Sequence, residues 1–182
     1  MIGGAGVEVD VDTETGHVRI IKAVNVIDCG TPVNPRILET QISGASLMQL
    51  GFTMFEKMHL DGGQITNASL ADYKIPGIRD IPLMENEAVD ANQRSGPFGA
   101  KGVGESGTFG VSPAIANAID DAVGVRLTSL PLTAEAVFRH AAAEAGLSSL
   151  VYCDSAGTHD YHIGDPPDAR SIAAARHRGY DM

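Results

Sequence analysis

Residues 95–110 read Ser-Gly-Pro-Phe-Gly-Ala-Lys-Gly-Val-Gly-Glu-Ser-Gly-Thr-Phe-Gly, the densest run of glycine in this 182-residue chain. Residues without a Cβ weaken any regular helix or strand, yet their backbone tolerates positive φ and close approach by other groups. The stretch therefore predicts a loop whose main-chain amides come near a ligand or a neighbouring backbone. Its only carboxylate is Glu105. Set among glycines, with Val103 and Phe109 beside it, Glu105 is expected to be partly desolvated and so a usable general base. The plainer alternative, a connection tying Glu105 to a neighbouring backbone, stays open on these residues. Lys101 is equally open, as an anion holder or as a solvated surface lysine. The spacing Gly99, Gly102, Gly104, Gly107 lacks the Gly-Lys-Ser/Thr ending of a P-loop and is not a dinucleotide fingerprint.

Local patterns on both sides of this loop predict the elements. Val7-Glu8-Val9-Asp10-Val11-Asp12 alternates apolar and acidic residues, and a β-branched run follows Thr13-Glu14-Thr15-Gly16, so residues 7–28 read as an antiparallel hairpin. Asn34-Pro35 is an N-cap with proline at the first helical position. The helix it opens should run to about residue 57, with Leu38, Ile42, Ala45, Met48, Phe52 and Phe55 as its apolar stripe. Gly44 and Gly51 interrupt that helix and suggest close approach of a backbone or ligand. Gln41, three residues before Gly44, would then offer its amide to that group, for instance a polar cofactor, or else be an ordinary surface glutamine. Asp61-Gly62-Gly63 should turn into a short strand at 64–66, and Pro76 and Pro82 keep residues 67–83 irregular. A strand is expected at 83–89, a helix from Ser112-Pro113 to Val123 stopping at Gly124, a strand at 125–130, and a helix from Thr133 to near Gly146. Beyond it, residues 147–153 read as a strand and about 168–178 as a helix. The fold class is α+β: an antiparallel or mixed sheet with packed helices, followed by a partial β-loop-α unit.

Composition narrows the function. A formal net charge of -10 disfavours broad binding to nucleic acid or an anionic membrane surface. Cys29 and Cys153 make neither a CxxC nor a zinc-type spacing. No basic stretch with an apolar h-region opens the sequence and no run of about 18 apolar residues occurs, so a cytoplasmic location is expected. His159, Asp160, His162 and Asp165 have the atom types of metal ligands, although a solvated polar loop contains the same residues.

Several pieces, in order, carry a resemblance: Asp28-Cys29-Gly30 with Val33-Asn34-Pro35, Gln41-Ile42-Ser43-Gly44, Ser69-Leu70-Ala71-Asp72-Tyr73 with Ile75-Pro76, and Gly99-Ala100-Lys101-Gly102-Val103-Gly104-Glu105. With Ala116-Asn117-Ala118-Ile119 and Leu130-Pro131-Leu132-Thr133, they make residues 5–140 resemble the carboxy-terminal end of the molybdopterin-binding subunit of the xanthine dehydrogenase and aldehyde oxidase family. The resemblance implies that Glu105 is the active-site base beside molybdenum, in a hydroxylation of an aldehyde or aromatic heterocycle whose oxygen comes from water. It implies that Gln41 contacts the pterin, with Lys101, Gly102, Val103 and Gly104 in the same cofactor-binding loop, and assigns no protein ligand to the metal. The implied cofactor is molybdopterin with molybdenum, in a dinucleotide form. The implied partners are the remainder of the molybdenum subunit and iron–sulfur and flavin subunits.

Residues 150–182 resemble a second family, the low-molecular-weight protein tyrosine phosphatases, through Asp154-Ser155-Ala156-Gly157-Thr158-His159-Asp160-Tyr161, Pro166-Pro167-Asp168-Ala169-Arg170 and Arg178-Gly179-Tyr180-Asp181. Tyr161 would be that family's aromatic wall, but no Cys-x5-Arg loop accompanies it, so phosphatase activity is expected to be missing. The reading is a truncated or fused product, with residues 1–146 as the molybdopterin-binding part and 147–182 as the phosphatase-like part. A non-catalytic interaction module is the remaining alternative.

Overall fold

The structure is a computed structural model that describes residues 2–91 and 96–149. It opens with the hairpin: β1 (Gly3–Val11) and β2 (Val18–Asp28) pair antiparallel, the register slipping between Glu8 and Val9. The strand starts earlier than the alternation at 7–12 suggests, because Gly3 to Gly6 also pair with β2. Asp12 holds the turn, its carboxylate accepting from the N–H groups of Glu14 and Thr15. These bonds lower its affinity for a proton below the usual carboxylate range.

After β2 the chain enters α1 (Pro35–Met54), capped by the Asn34 side chain, which accepts from Ile37 N. It crosses β3 (Leu60–Asp61) and β4 (Gln64–Ile65) and returns as β5 (Leu83–Val89), parallel to β2. The result is a mixed three-stranded sheet in the order β1-β2-β5. Asn25 of β2 donates to Asn86 of β5, which donates to Ser43 of α1, so a buried and a half-buried amide tie both strands to the helix. Next come the glycine loop, α2 (Val111–Val123) and α3 (Ala134–Glu144). α2 ends at Gly124, left-handed at φ 72°, and Thr133 caps α3. Val111, Ile115 and Ile119 of α2 share one core with Leu50 and Met54 of α1, Val18 of β2, Leu132, and Val137 of α3.

Five expectations need correction. The buried face of α1 is Ile42, Ala45, Ser46, Leu50, Thr53 and Met54, whereas Met48 is 38% and Phe52 43% exposed. Apolar periodicity misses this face because two of its members are polar and satisfied. Thr53 Oγ1 donates to Gln49 O at 2.7 Å, Gln49 Nε2 donates to Ser112 Oγ at 2.6 Å, and the remaining 2.6 Å contact is Ser112 donating to Thr53. Ser112 therefore braces α1, and Gly110, not Ser112, is the N-cap of α2. Gly44 is exposed with open space where a Cβ would stand, whereas Gly51 is buried and a Cβ there would stand 3.0 Å from Pro76 Cδ; the close main-chain approach to α1 comes from Gly107. Residues 125–130 form no strand, since Val125 and Leu127 are buried in the core without a sheet neighbour. Residues 147–149 form no strand, residues 148 and 149 being turn, and the rest of the strand expected at 147–153, with the helix at about 168–178, lies outside the described residues.

A Cβ at 107 would stand 2.8 Å from Ile42 O and 3.1 Å from Ala45 Cβ. Gly107→Ala is expected to destabilise the chain by about 1–3 kcal/mol through overpacking. Gly44→Ala, in open space within a helix, is expected to stabilise it by about 0.5–1 kcal/mol. Urea midpoints of the two variants should move in opposite directions; a shared direction would contradict this packing.

Candidate functional site

The site forms where β2 ends, α1 begins and the glycine loop crosses both. Gly30 takes φ 60° and turns the chain, so that residues 29–31 pair briefly with 99–101: Thr31 N donates to Gly99 O at 3.0 Å and Lys101 N to Cys29 O at 2.9 Å. Glycine is required there, because a Cβ on Gly30 would lie 2.1 Å from Gly99 O. Phe98, just before this contact, is the non-glycine residue held at positive φ, 55°, and its side chain is 95% exposed. An ion pair fastens the same place. Lys101 Nζ donates to Asp28 Oδ2, while Asp28 Oδ1 accepts from Gly30 N at 3.1 Å. The Lys101 ammonium, ahead of the Gly30 amide, holds the Asp28 carboxyl below the usual carboxylate range.

From Lys101 the loop runs along α1. Gln41 Nε2 donates to Gly104 O at 2.7 Å, and Ser46 Oγ donates to Gly107 O at 3.1 Å. Gln41 and Gly104, 63 residues apart in sequence, are thus neighbours. The expected setting of Gln41 is corrected: its amide meets the glycine loop, not a group seated at Gly44. Glu105 follows immediately, at the start of a 3-10 turn in which its carbonyl accepts from Thr108 N and Thr108 Oγ1. Its side chain is exposed, so the enclosure suggested by Val103 and Phe109 is absent; the flanking Gly104 brings no side chain and Phe109 is itself exposed. Lys101 is neither a solvated lysine nor a free cation, since its charge is committed to Asp28. Nothing in the sequence pairs Lys101 with Asp28, and that pair, with Ser46 and Gly107, is what sequence reasoning missed.

A cavity of about 260 Å³ lies between these segments, lined by Cys29, Val33, Ile37, Gln41, Lys101 and Val103. That is below the roughly 300 Å³ at which ligand pockets ordinarily begin. Its lining mixes apolar Val33, Ile37 and Val103 with polar Gln41 and Lys101. Space is open where a Cβ would stand on Gly102 or Gly104, and the N–H groups of residues 102–105 donate to nothing among the described residues. Cys29 is buried, which pushes its thiol above the ordinary range and keeps it un-ionised at neutral pH. Among the described residues no three His, Cys, Asp or Glu side chains stand together as metal ligands, and no helix is long and apolar enough to cross a membrane. The loop with His159, Asp160, His162 and Asp165, like Cys153, lies outside them.

Comparison with known proteins agrees with this geometry. Residues 1–82 match the molybdopterin cofactor-binding domain, and residues 129–182 match the low molecular weight phosphotyrosine protein phosphatase family. The chain is 39% identical over 133 residues to a probable xanthine dehydrogenase subunit of Bacillus subtilis (strain 168), covering 73% of this chain and 18% of that protein. It is likewise 39% identical to the aldehyde oxidoreductase molybdenum-binding subunit of Escherichia coli (strain K12), covering 71% of this chain and 18% of that one. Among solved structures, quinoline 2-oxidoreductase from Pseudomonas putida 86 superposes with a TM-score of 0.69 at 34% identity, covering 73% of this chain and 17% of that chain. Aldehyde oxidoreductase from Desulfovibrio gigas superposes with a TM-score of 0.68 at 33% identity, covering 74% and 15%. The fold is thus that of the molybdenum hydroxylases. About three quarters of the chain is homologous to molybdenum-binding subunits of the xanthine dehydrogenase and aldehyde oxidase family, and it spans under a fifth of the length of the curated relatives it matches.

Because the Asp28 carboxyl is held low in the folded state, the stability it contributes is present at neutral pH and lost as pH falls through the carboxylate range. Asp28→Asn is expected to lower the urea midpoint at pH 7, and the gap from the parent chain should close in acid. A gap that stays constant down to acid pH would contradict the charge pairing.

Proposed function

We propose that this chain supplies the part of a molybdenum hydroxylase that carries the general base, Glu105, and a cofactor contact from Gln41. The activity of the whole enzyme would be oxidative hydroxylation of an aldehyde or an aromatic heterocycle with oxygen drawn from water. The observation that carries the reading is the hydrogen bond from Gln41 to Gly104 O, which brings the pterin-contact candidate beside the residue preceding the base candidate. When bound, molybdopterin in a dinucleotide form would supply the two-electron acceptor.

The chain's own residues have distinct parts. Gln41, with one N–H fixed on Gly104 O, keeps its Oε1 and second N–H for the polar edge of the cofactor. The main-chain N–H groups of Gly102, Val103 and Gly104, which donate to nothing among the described residues, would be available to the same ligand, and Lys101 begins the segment that presents them. Glu105 takes up a proton on its carboxylate as oxygen is added to the substrate, a task that requires hydrogen-bond reach. Its exposure here supports a site completed by another polypeptide, which would exclude water and desolvate the carboxylate. That partner would be the remainder of the molybdenum subunit, acting with iron–sulfur and flavin subunits in the cytoplasm.

We further propose that residues 1–146 form the molybdopterin-binding part, joined to a phosphatase-like part at 147–182 in a truncated or fused product. The packing of Val137 in the shared core supports assigning α3 to the first part, although the phosphatase-family match begins at 129. A phosphatase activity is not proposed: neither Cys29 nor Cys153 begins a Cys-x5-Arg loop.

The test is a complete molybdenum-binding subunit carrying this segment, with Glu105→Gln and Gln41→Ala. Glu105→Gln is expected to lower kcat about 10²–10⁴-fold, the usual share of a general base, with molybdenum content unchanged. Gln41→Ala should reduce retained pterin. Full turnover in Glu105→Gln would remove Glu105 from the chemistry.

A further inference from the structure

Lys101 is the last residue of the glycine loop whose side chain and main chain are both tied before the open span leading to Glu105. Its N–H donates to Cys29 O, its ammonium to Asp28, and the N–H groups of the next four residues donate to nothing among the described residues. Gly104 is the next fixed point, through the bond its carbonyl accepts from Gln41. Gly102 and Val103 are therefore suspended between Lys101 and the Gln41 contact, and Glu105 follows directly on that contact. Both charges of the pair are largely covered, with side chains 20% and 13% exposed for Lys101 and Asp28. At such burial, losing one partner leaves the other charge uncompensated, a far larger effect than breaking a solvated surface pair. Asp28 also fixes the turn after β2 through Gly30 N, so one carboxylate links the end of the sheet to the start of the loop.

We infer that Lys101 is a positioning residue, not a ligand-holding cation: its ion pair with Asp28 anchors the span that leads to Glu105 and thereby sets where Gly104 stands against Gln41. The inference rests on the reading that Glu105 and Gln41 belong to one site. The geometry favours it over anion capture because the ammonium already has a carboxylate partner, and an incoming anion would have to displace Asp28.

The test uses the full 182-residue chain without cofactor. Lys101→Gln, Asp28→Asn and the exchanged pair Asp28→Lys/Lys101→Asp are compared by NMR. Two signals are read: the Gln41 side-chain amide resonances, which report its bond to Gly104, and hydrogen exchange of the amides at positions 31 and 101. Each single variant is expected to shift the Gln41 resonances toward those of a free carboxamide and to speed exchange at 31 and 101 about tenfold, as local opening does. Exchange at Ile115 and Ile119 in α2 should stay unchanged. The exchanged pair should recover the Gln41 resonances and part of the protection at 31 and 101, since it restores the ion pair and not the bond that Asp28 accepts from Gly30 N. Unmoved Gln41 resonances in the single variants, equal loss of protection in α2, or no recovery in the exchanged pair would each overturn the inference. Failure of the cofactor reading is separately visible, as these signals behaving as stated while the complete subunit retains no pterin.

Discussion

Gly107 pressed against α1 is the contact on which the candidate site depends. Its backbone lies so near Ile42 O, Ala45 and Ser46 that no side chain fits between them. On either side of it the polar residues of α1 hold the passing chain: Gln41 takes Gly104 O, Ser46 takes Gly107 O, and Gln49 and Thr53 take Ser112. Helix and loop advance together, which turns a glycine-rich segment with little side-chain packing of its own into a fixed surface. Glu105 sits within that fixed run, and its main chain is located even though its carboxylate is open to solvent. Close packing of this kind transmits position, since interiors at crystal-like density have little room to yield.

The sheet supplies the second constraint. Parallel pairing of β2 with β5 requires a long crossover, and α1 is its helical part. The end of β2 is thereby delivered to the start of α1, where residues 29–31 meet 99–101. At that corner the β2 turn and the first turns of α1, adjacent in sequence, meet the loop, which is distant in sequence. The cavity between them is lined on one side by exposed Val33 and Ile37.

Much of the fold was legible because its signals are local. The alternation at 7–12, the Asn34-Pro35 helix start, the strand at 83–89, the stop at Gly124 and the Thr133 cap each depend on a few adjacent residues, and each appears as expected. What stayed hidden depends on partners 60 or more residues away. Ser46 reads as a surface residue until Gly107 O arrives to accept its hydroxyl, and Lys101 reads as a solvated lysine until Asp28 is brought beside it. Of the two helix glycines read as sites of close approach, Gly51 is approached by Pro76 and Gly44 is open, while the glycine whose backbone presses on α1 lies in the loop. Gln41 and the glycine loop were singled out from local pattern and from resemblance; their adjacency in space is a property of the fold that no spacing in the sequence encodes.

The contact between Gly107 and α1 can be measured directly in the unaltered chain. Because a Cβ at Gly107 would come 3.1 Å from Ala45 Cβ, one α-proton of Gly107 occupies that direction and faces the Ala45 methyl. In an isotope-labelled sample, a strong nuclear Overhauser cross-peak between the Gly107 α-protons and the Ala45 methyl is expected, with weaker ones to Ser46. Absence of that cross-peak in a chain whose α1 is helical would mean that the loop does not dock on the helix, and the candidate site would not exist as described.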